Sequence, residues 1–172
     1  MWASVEGVKV VAVSDPGAGA NGADVKRFPQ AKAYVDYQTM LGEVKPDIVA
    51  VGPRHVDQHH AMVLAASKAG ARGVYMEKPF VRSLLEADEL VAECSRTGMR
   101  LAVAHRNRYH PAVPVALRML NEGKFGKLIE IRCRGKEDAR GGALDLWVLG
   151  SHVLNLATVF AGKPIACSAG VF

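Results

Sequence analysis

Four short apolar runs recur along the chain, each separated from the next by a stretch long enough to hold a helix. They are VKVVAVSDP at 8–16, DIVAVGP at 47–53, GVYM at 73–76 and MRLAVAH at 99–105. Near-continuous apolar strands belong to sheets buried on both faces, and strands joined through helices run parallel. The crossover between parallel strands is right-handed. Together these constraints predict a doubly wound α/β domain, a parallel sheet with helices covering both sides.

The intervening stretches carry helix punctuation. HVDQHHAMVLAASKAG, 55–70, reads as a helix stopped by Gly70. RSLLEADELVAECSRTG, 82–98, has a capping box at Ser83 and Glu86 and Gly98 beyond its end. PAVPVALRMLNEG, 111–123, places Pro111 in the first turn and Gly123 after the last; Pro114 also fits if the helix starts late. After Gly126 the texture changes. KLIEIRCRGKE alternates Ile129, Ile131 and Cys133 with Glu130, Arg132 and Arg134, which predicts a half-exposed strand of an open mixed or antiparallel sheet. A helix over LWVLGSHVLNLATVF follows, and IACSAGVF is expected to begin another strand. The expected organisation is a partial parallel α/β domain over 1–104 and the start of an α+β domain over 105–172.

Composition narrows the function. The 172 residues are 49% hydrophobic and 23% charged, which is ordinary for a globular domain. The formal charge of +5 invites an acidic partner. Its basic residues are scattered and lack the interleaved aromatics of a nucleic-acid surface, so no nucleic acid is expected. Cys94, Cys133 and Cys167 are odd in number and far apart, so neither a disulfide framework nor a zinc cluster is expected and a reducing cytoplasm is the default. No apolar run is long enough to span a bilayer, so no membrane is expected.

In doubly wound sheets, ligands bind beyond the carboxyl ends of the strands. Three polar groups lie there: Asp15, Pro53-Arg54 and Glu77-Lys78-Pro79. Lys78 is thereby delivered to the ligand crevice. Pro79 stiffens the turn, removes an N–H that the strand end could not pair, and can take a cis bond. A bare E-K-P tripeptide matches by chance in many chains. His55 and His59, four residues apart, lack the third ligand that zinc requires, so no metal is expected.

The segment GVYMEKPFVRSLLEADELVAECSRTGMRLAVAHRNRYHPAV resembles the Gfo/Idh/MocA family of nicotinamide-dependent oxidoreductases. VKVVAVSDP and KPDIVAVGPRHVDQHHAMVLAASKAG match the family's second and fourth strands. LNEGKFGKLIEIR and GGALDLWVLGSHVLNLA match the start of its second domain. The resemblance implies a Rossmann-type sheet, NAD in preference to NADP, a sugar or polyol as substrate, and a homo-oligomer formed through the second domain's sheet. The family opens with a strand and a G-x-G-x-x-G loop. MWASVEG reads instead as the tail of the first helix, so the chain is expected to be an internal fragment without its central strand, poorly stable and weak in dinucleotide binding.

The resemblance also assigns roles. Asp15 accepts from the adenosine ribose hydroxyls, and its charge disfavours a 2′-phosphate. Lys78 reaches the nicotinamide ribose and the substrate oxygen, with Glu77 and Pro79 beside it. Pro53, Arg54, His59 and Asn107 are expected along the cofactor crevice, and Tyr109 at the substrate. His152 matches the family's catalytic histidine, which takes the alcohol proton. The family's common pattern has Asp four residues before it; this chain has Val148. The nearest acid, Asp145, is expected to bind substrate or cap the helix. The rival expectation is a non-catalytic member that binds a metabolite or dinucleotide.

Overall fold

The computed structural model describes residues 5–16, 26–134 and 146–170. The chain divides into two compact units, Met1–Ala102 and Val103–Phe172.

The first unit is α/β with parallel pairing. Strand β1 (Ala12–Ser14) pairs in parallel with β2 (Lys32–Tyr34). β3 (Ile48–Val51) pairs in parallel with β4 (Gly73–Met76), and β5 (Arg100–Val103) completes a sheet of order β3-β4-β5. The strands form two separate sheets among the described residues. β2 and helix α1 (Tyr37–Val44) were not foreseen. α1 starts where the Asp36 carboxylate accepts from the N–H of Thr39 at 2.6 Å.

Helix α2 (His59–Lys68) follows a 3-10 turn at Val56–Gln58 and stops at Gly70, whose φ of +87° suits only glycine. α3 (Leu84–Thr97) keeps its foreseen caps. Ser83 Oγ accepts from the Glu86 N–H at 3.2 Å, and the Gly98 N–H donates to the Cys94 carbonyl at 2.9 Å. The Glu86 carboxylate reaches back to the N–H and guanidinium of Arg82 rather than to the cap residue. These bonds from Arg82 hold the Glu86 carboxyl below the usual carboxylate range. Arg96 and then Ser67 do the same for Glu93, which tethers α3 to α2 through a 2.6 Å bond from Ser67.

Val49, Val51, Val74 and Met76 point into one face with Val63, Ala66 and Leu90 of α2 and α3. The opposite face was expected to be covered as well. Instead Ile48 is 53% exposed, and Ala50 is exposed beside it. α2 packs on β3 and β4, and α3 packs on α2, so both helices serve the same side.

In the second unit, a 3-10 turn at Arg106–Tyr109 leads to α4 (Ala112–Asn121). Pro114 lies in the first turn of α4, where no intrahelical N–H bond is lost. A π turn at Leu146–Gly150 runs into α5 (Ser151–Ala161). The alternating stretch after Gly126 is not a strand over its described residues, 127–134, and Ile129 is 94% exposed. Residues 165–170 are likewise not a strand, with Ile165 fully exposed. Alternation sets which face a strand would show, but a strand forms only against a ladder partner, and neither stretch has one among the described residues.

Candidate functional site

Asp15, Pro53-Arg54 and Glu77-Lys78-Pro79 each follow the carboxyl end of a parallel strand in the first unit. Asp15 lies one residue beyond β1 and is half-buried; its N–H donates to the Tyr34 carbonyl at 3.0 Å, which carries the β1–β2 ladder one step past the strand. At the end of β4, the Glu77 N–H donates to the Val51 carbonyl at 2.8 Å, the final rung to β3. Glu77 and Lys78 are half-buried, Pro79 is buried, and the Lys78–Pro79 bond is cis. The Glu77 carboxylate accepts from the backbone N–H of Lys78 at 3.3 Å. Arg54, beyond the end of β3, is exposed.

His59 is not placed along a crevice wall. It is fully buried, and its ring spans the ends of two strands. Nε2 lies 2.8 Å from the Pro53 carbonyl oxygen. Nδ1 lies 2.9 Å from the Pro79 carbonyl and 3.2 Å from that of Phe80. Both ring nitrogens therefore face main-chain carbonyl oxygens. Among the described residues no group of three His, Cys, Asp or Glu could hold a metal ion. The neighbouring His60 is mostly buried, and its Nε2 lies 2.8 Å from a carboxylate oxygen of Glu89 on α3.

In the second unit, the 3-10 turn at Arg106–Tyr109 packs against α5, which carries His152. Asn107 is exposed and Tyr109 is 75% exposed. His105, which sequence reasoning passed over, meets His152 edge to face with ring centroids 5.8 Å apart. Its signal was available: a histidine directly after the apolar run RLAVA, at a strand end where ligands bind. Val148 is buried at 4% exposure, so the position four residues before His152 faces the interior and is apolar. Asp145 lies outside the described residues.

A family model described as an oxidoreductase family with an NAD-binding Rossmann fold, Gfo/Idh/MocA, matches residues 1–105. The chain belongs to the Gfo/Idh/MocA family. Its relatives include the D-apiose dehydrogenase of Paraburkholderia graminis, 30% identical over 125 residues, which cover 73% of this chain and 33% of that protein. The trans-1,2-dihydrobenzene-1,2-diol dehydrogenase of Bos taurus is 31% identical over 157 residues, 84% of this chain and 46% of that one. The crystal structure of apo scyllo-inositol dehydrogenase from Lactobacillus casei superposes with a TM-score of 0.78 at 17% identity, covering 94% of this chain and 49% of that one, a likeness of fold. The chain thus spans between a third and a half of the length of these curated relatives.

For the dinucleotide of an NAD-binding Rossmann fold, the charged residues Asp15 and Lys78 follow the carboxyl ends of β1 and β4. A pyrophosphate cradle is not among the described residues. Residues 17–22, GAGANG, do carry the G-x-G-x-x-G spacing. They follow β1 and Asp15 instead of preceding them, and they too lie outside the described residues.

Proposed function

We propose that the protein carrying this chain transfers a hydride between NAD and a secondary alcohol of a sugar or polyol. The observation that carries this reading is the placement of Asp15 and Lys78 at the carboxyl ends of parallel strands in a Gfo/Idh/MocA chain. NAD, when bound, supplies or takes the hydride. Asp15 holds the adenosine ribose and selects against a 2′-phosphate by charge repulsion. The Lys78 ammonium binds the substrate oxygen and stabilises its alkoxide character, with Glu77, Pro79, Pro53 and Arg54 shaping the strand ends around it. His152 takes the alcohol proton on oxidation and returns it on reduction, and Asn107 and Tyr109 contribute to cofactor and substrate binding.

The reading also includes a cytoplasmic setting, in keeping with three free cysteines, and association into homo-oligomers. Among the described residues no helix is long and apolar enough to cross a membrane. A second reading, a non-catalytic binder of dinucleotide or metabolite, is favoured by Val148 alone. Nicotinamide absorbance, followed across a panel of sugars and polyols with the product of the open reading frame containing this sequence, decides between the two. NAD binding without turnover on any alcohol would leave the second. Absence of both would remove each.

A further inference from the structure

His59 lies in a helix, is fully buried and, among the described residues, hydrogen-bonds no other side chain through its ring nitrogens. Its three partners are main-chain carbonyls from two loops, one after β3 and one after β4. A carbonyl oxygen only accepts, so each ring nitrogen facing one must donate. A neutral imidazole has a single N–H and would set a bare nitrogen against an oxygen at 2.8 or 2.9 Å.

We propose that His59 is a positioning residue whose ring carries a proton on both nitrogens and braces the ends of β3 and β4. Nε2–H donates to Pro53, and Nδ1–H is shared between Pro79 and Phe80. Three carbonyl dipoles aimed at one ring offset the cost of holding its charge away from water. The brace fixes the span between the two loops that begin at Gly52 and Glu77. Those loops carry Arg54 and Lys78, the exposed and half-buried cations of the candidate site. The final ladder rung, Glu77 N–H to Val51 carbonyl, lies immediately before both braced points. The inference rests on the dinucleotide reading only for what the braced loops hold; the hydrogen bonds are independent of it.

The test uses the full 172-residue chain, labelled with nitrogen-15, without added dinucleotide. Long-range proton–nitrogen spectra of the His59 ring are expected to show protonated nitrogen at both positions. His59→Phe keeps a ring of similar bulk and loses both donors. Hydrogen exchange at the Glu77 amide is then expected to rise about tenfold, the effect of losing one net hydrogen bond. His59→Gln, which can donate to one loop but not span both, is expected to restore part of that protection. The Gly98 amide, which caps α3 at the other end of the sheet, is expected to exchange unchanged. A bare ring nitrogen in the unmodified protein overturns the proposal, even if the Phe variant does not fold. So does an equal rise at Gly98, or no rise at Glu77. Titration with NAD of the product of the open reading frame containing this sequence then separates the two ideas: a doubly protonated ring in a protein that binds no NAD keeps the brace and removes the dinucleotide reading.

Discussion

Met76 offers the most direct test of how the candidate site is supported. It is the last residue of β4, fully buried, and pairs in register with Val51 of β3, one residue before Glu77 and two before Lys78. Replacing it by Ala removes the thioether and leaves a cavity that close neighbours fill only in part. Such changes cost about 2–5 kcal/mol, against a total of about 5–15 kcal/mol for a typical domain. With a urea slope of about 1–3 kcal/mol per molar, a loss of about 3 kcal/mol lowers the unfolding midpoint by roughly 1–3 M. Met76→Leu keeps most of the volume and should cost under about 1.5 kcal/mol. Leu85→Ala, at a position 69% exposed on α3, should stay within about 0.5 kcal/mol. Far-ultraviolet circular dichroism against urea reads all three. A Met76→Ala midpoint equal to that of Leu85→Ala would refute the argument that β4 is packed tightly beneath Lys78.

Other outcomes follow from the same geometry. Lys78→Met is expected to lower hydride transfer by about 10²–10³-fold, as for loss of one charged donor to a developing oxyanion, with steady-state nicotinamide absorbance as the measure. Asp15→Ala should weaken NAD about tenfold by calorimetry and narrow its advantage over NADP. Asp36, Glu43, Glu86 and Glu93 all have carboxyls held below the usual range by hydrogen bonds, chiefly from Thr39, Lys32, Arg82 and Arg96 respectively. Their contribution to stability is complete above the ordinary carboxylate range and is lost as pH falls through the lowered folded values, so urea midpoints should drop on acidification. Ser67→Ala, which removes a donor to Glu93, should make that drop shallower. Burial raises the Cys94 thiol above its ordinary range, while Cys133 and Cys167 are exposed. Alkylation followed by mass spectrometry should modify Cys94 last.

The parts of this fold that could be read from sequence are those whose causes are local. α3 is an example: Ser83 and Gly98 act within one turn of where they stand. The central strands were also legible, because Val49, Val51, Val74 and Met76 form apolar runs that nothing but a core explains. β2 escaped notice because it has three residues and owes its existence to β1, some 20 positions away in the register Ala12↔Lys32. The stretch after Gly126 misled for the converse reason: its alternation is local, whereas a strand needs a partner. At the site, Asp15 and Lys78 could be placed by counting to strand ends. His59 could not be assigned correctly, since its partners lie 6 and 20 residues away and belong to the backbone, which leaves no trace in side-chain pattern. His105 was missed although its position carried the same strand-end signal as Lys78.

The hydrogen bonds of His59 end on peptide oxygens alone, and peptide oxygens are common to every residue type. The frame at the strand ends is therefore indifferent to what the neighbouring side chains are. Arg54 and Lys78 could be exchanged for other residues over generations without disturbing the scaffold that presents them. A fold arranged in this way can change what it binds while its architecture stays still, and the histidine would be expected to outlast the residues it serves.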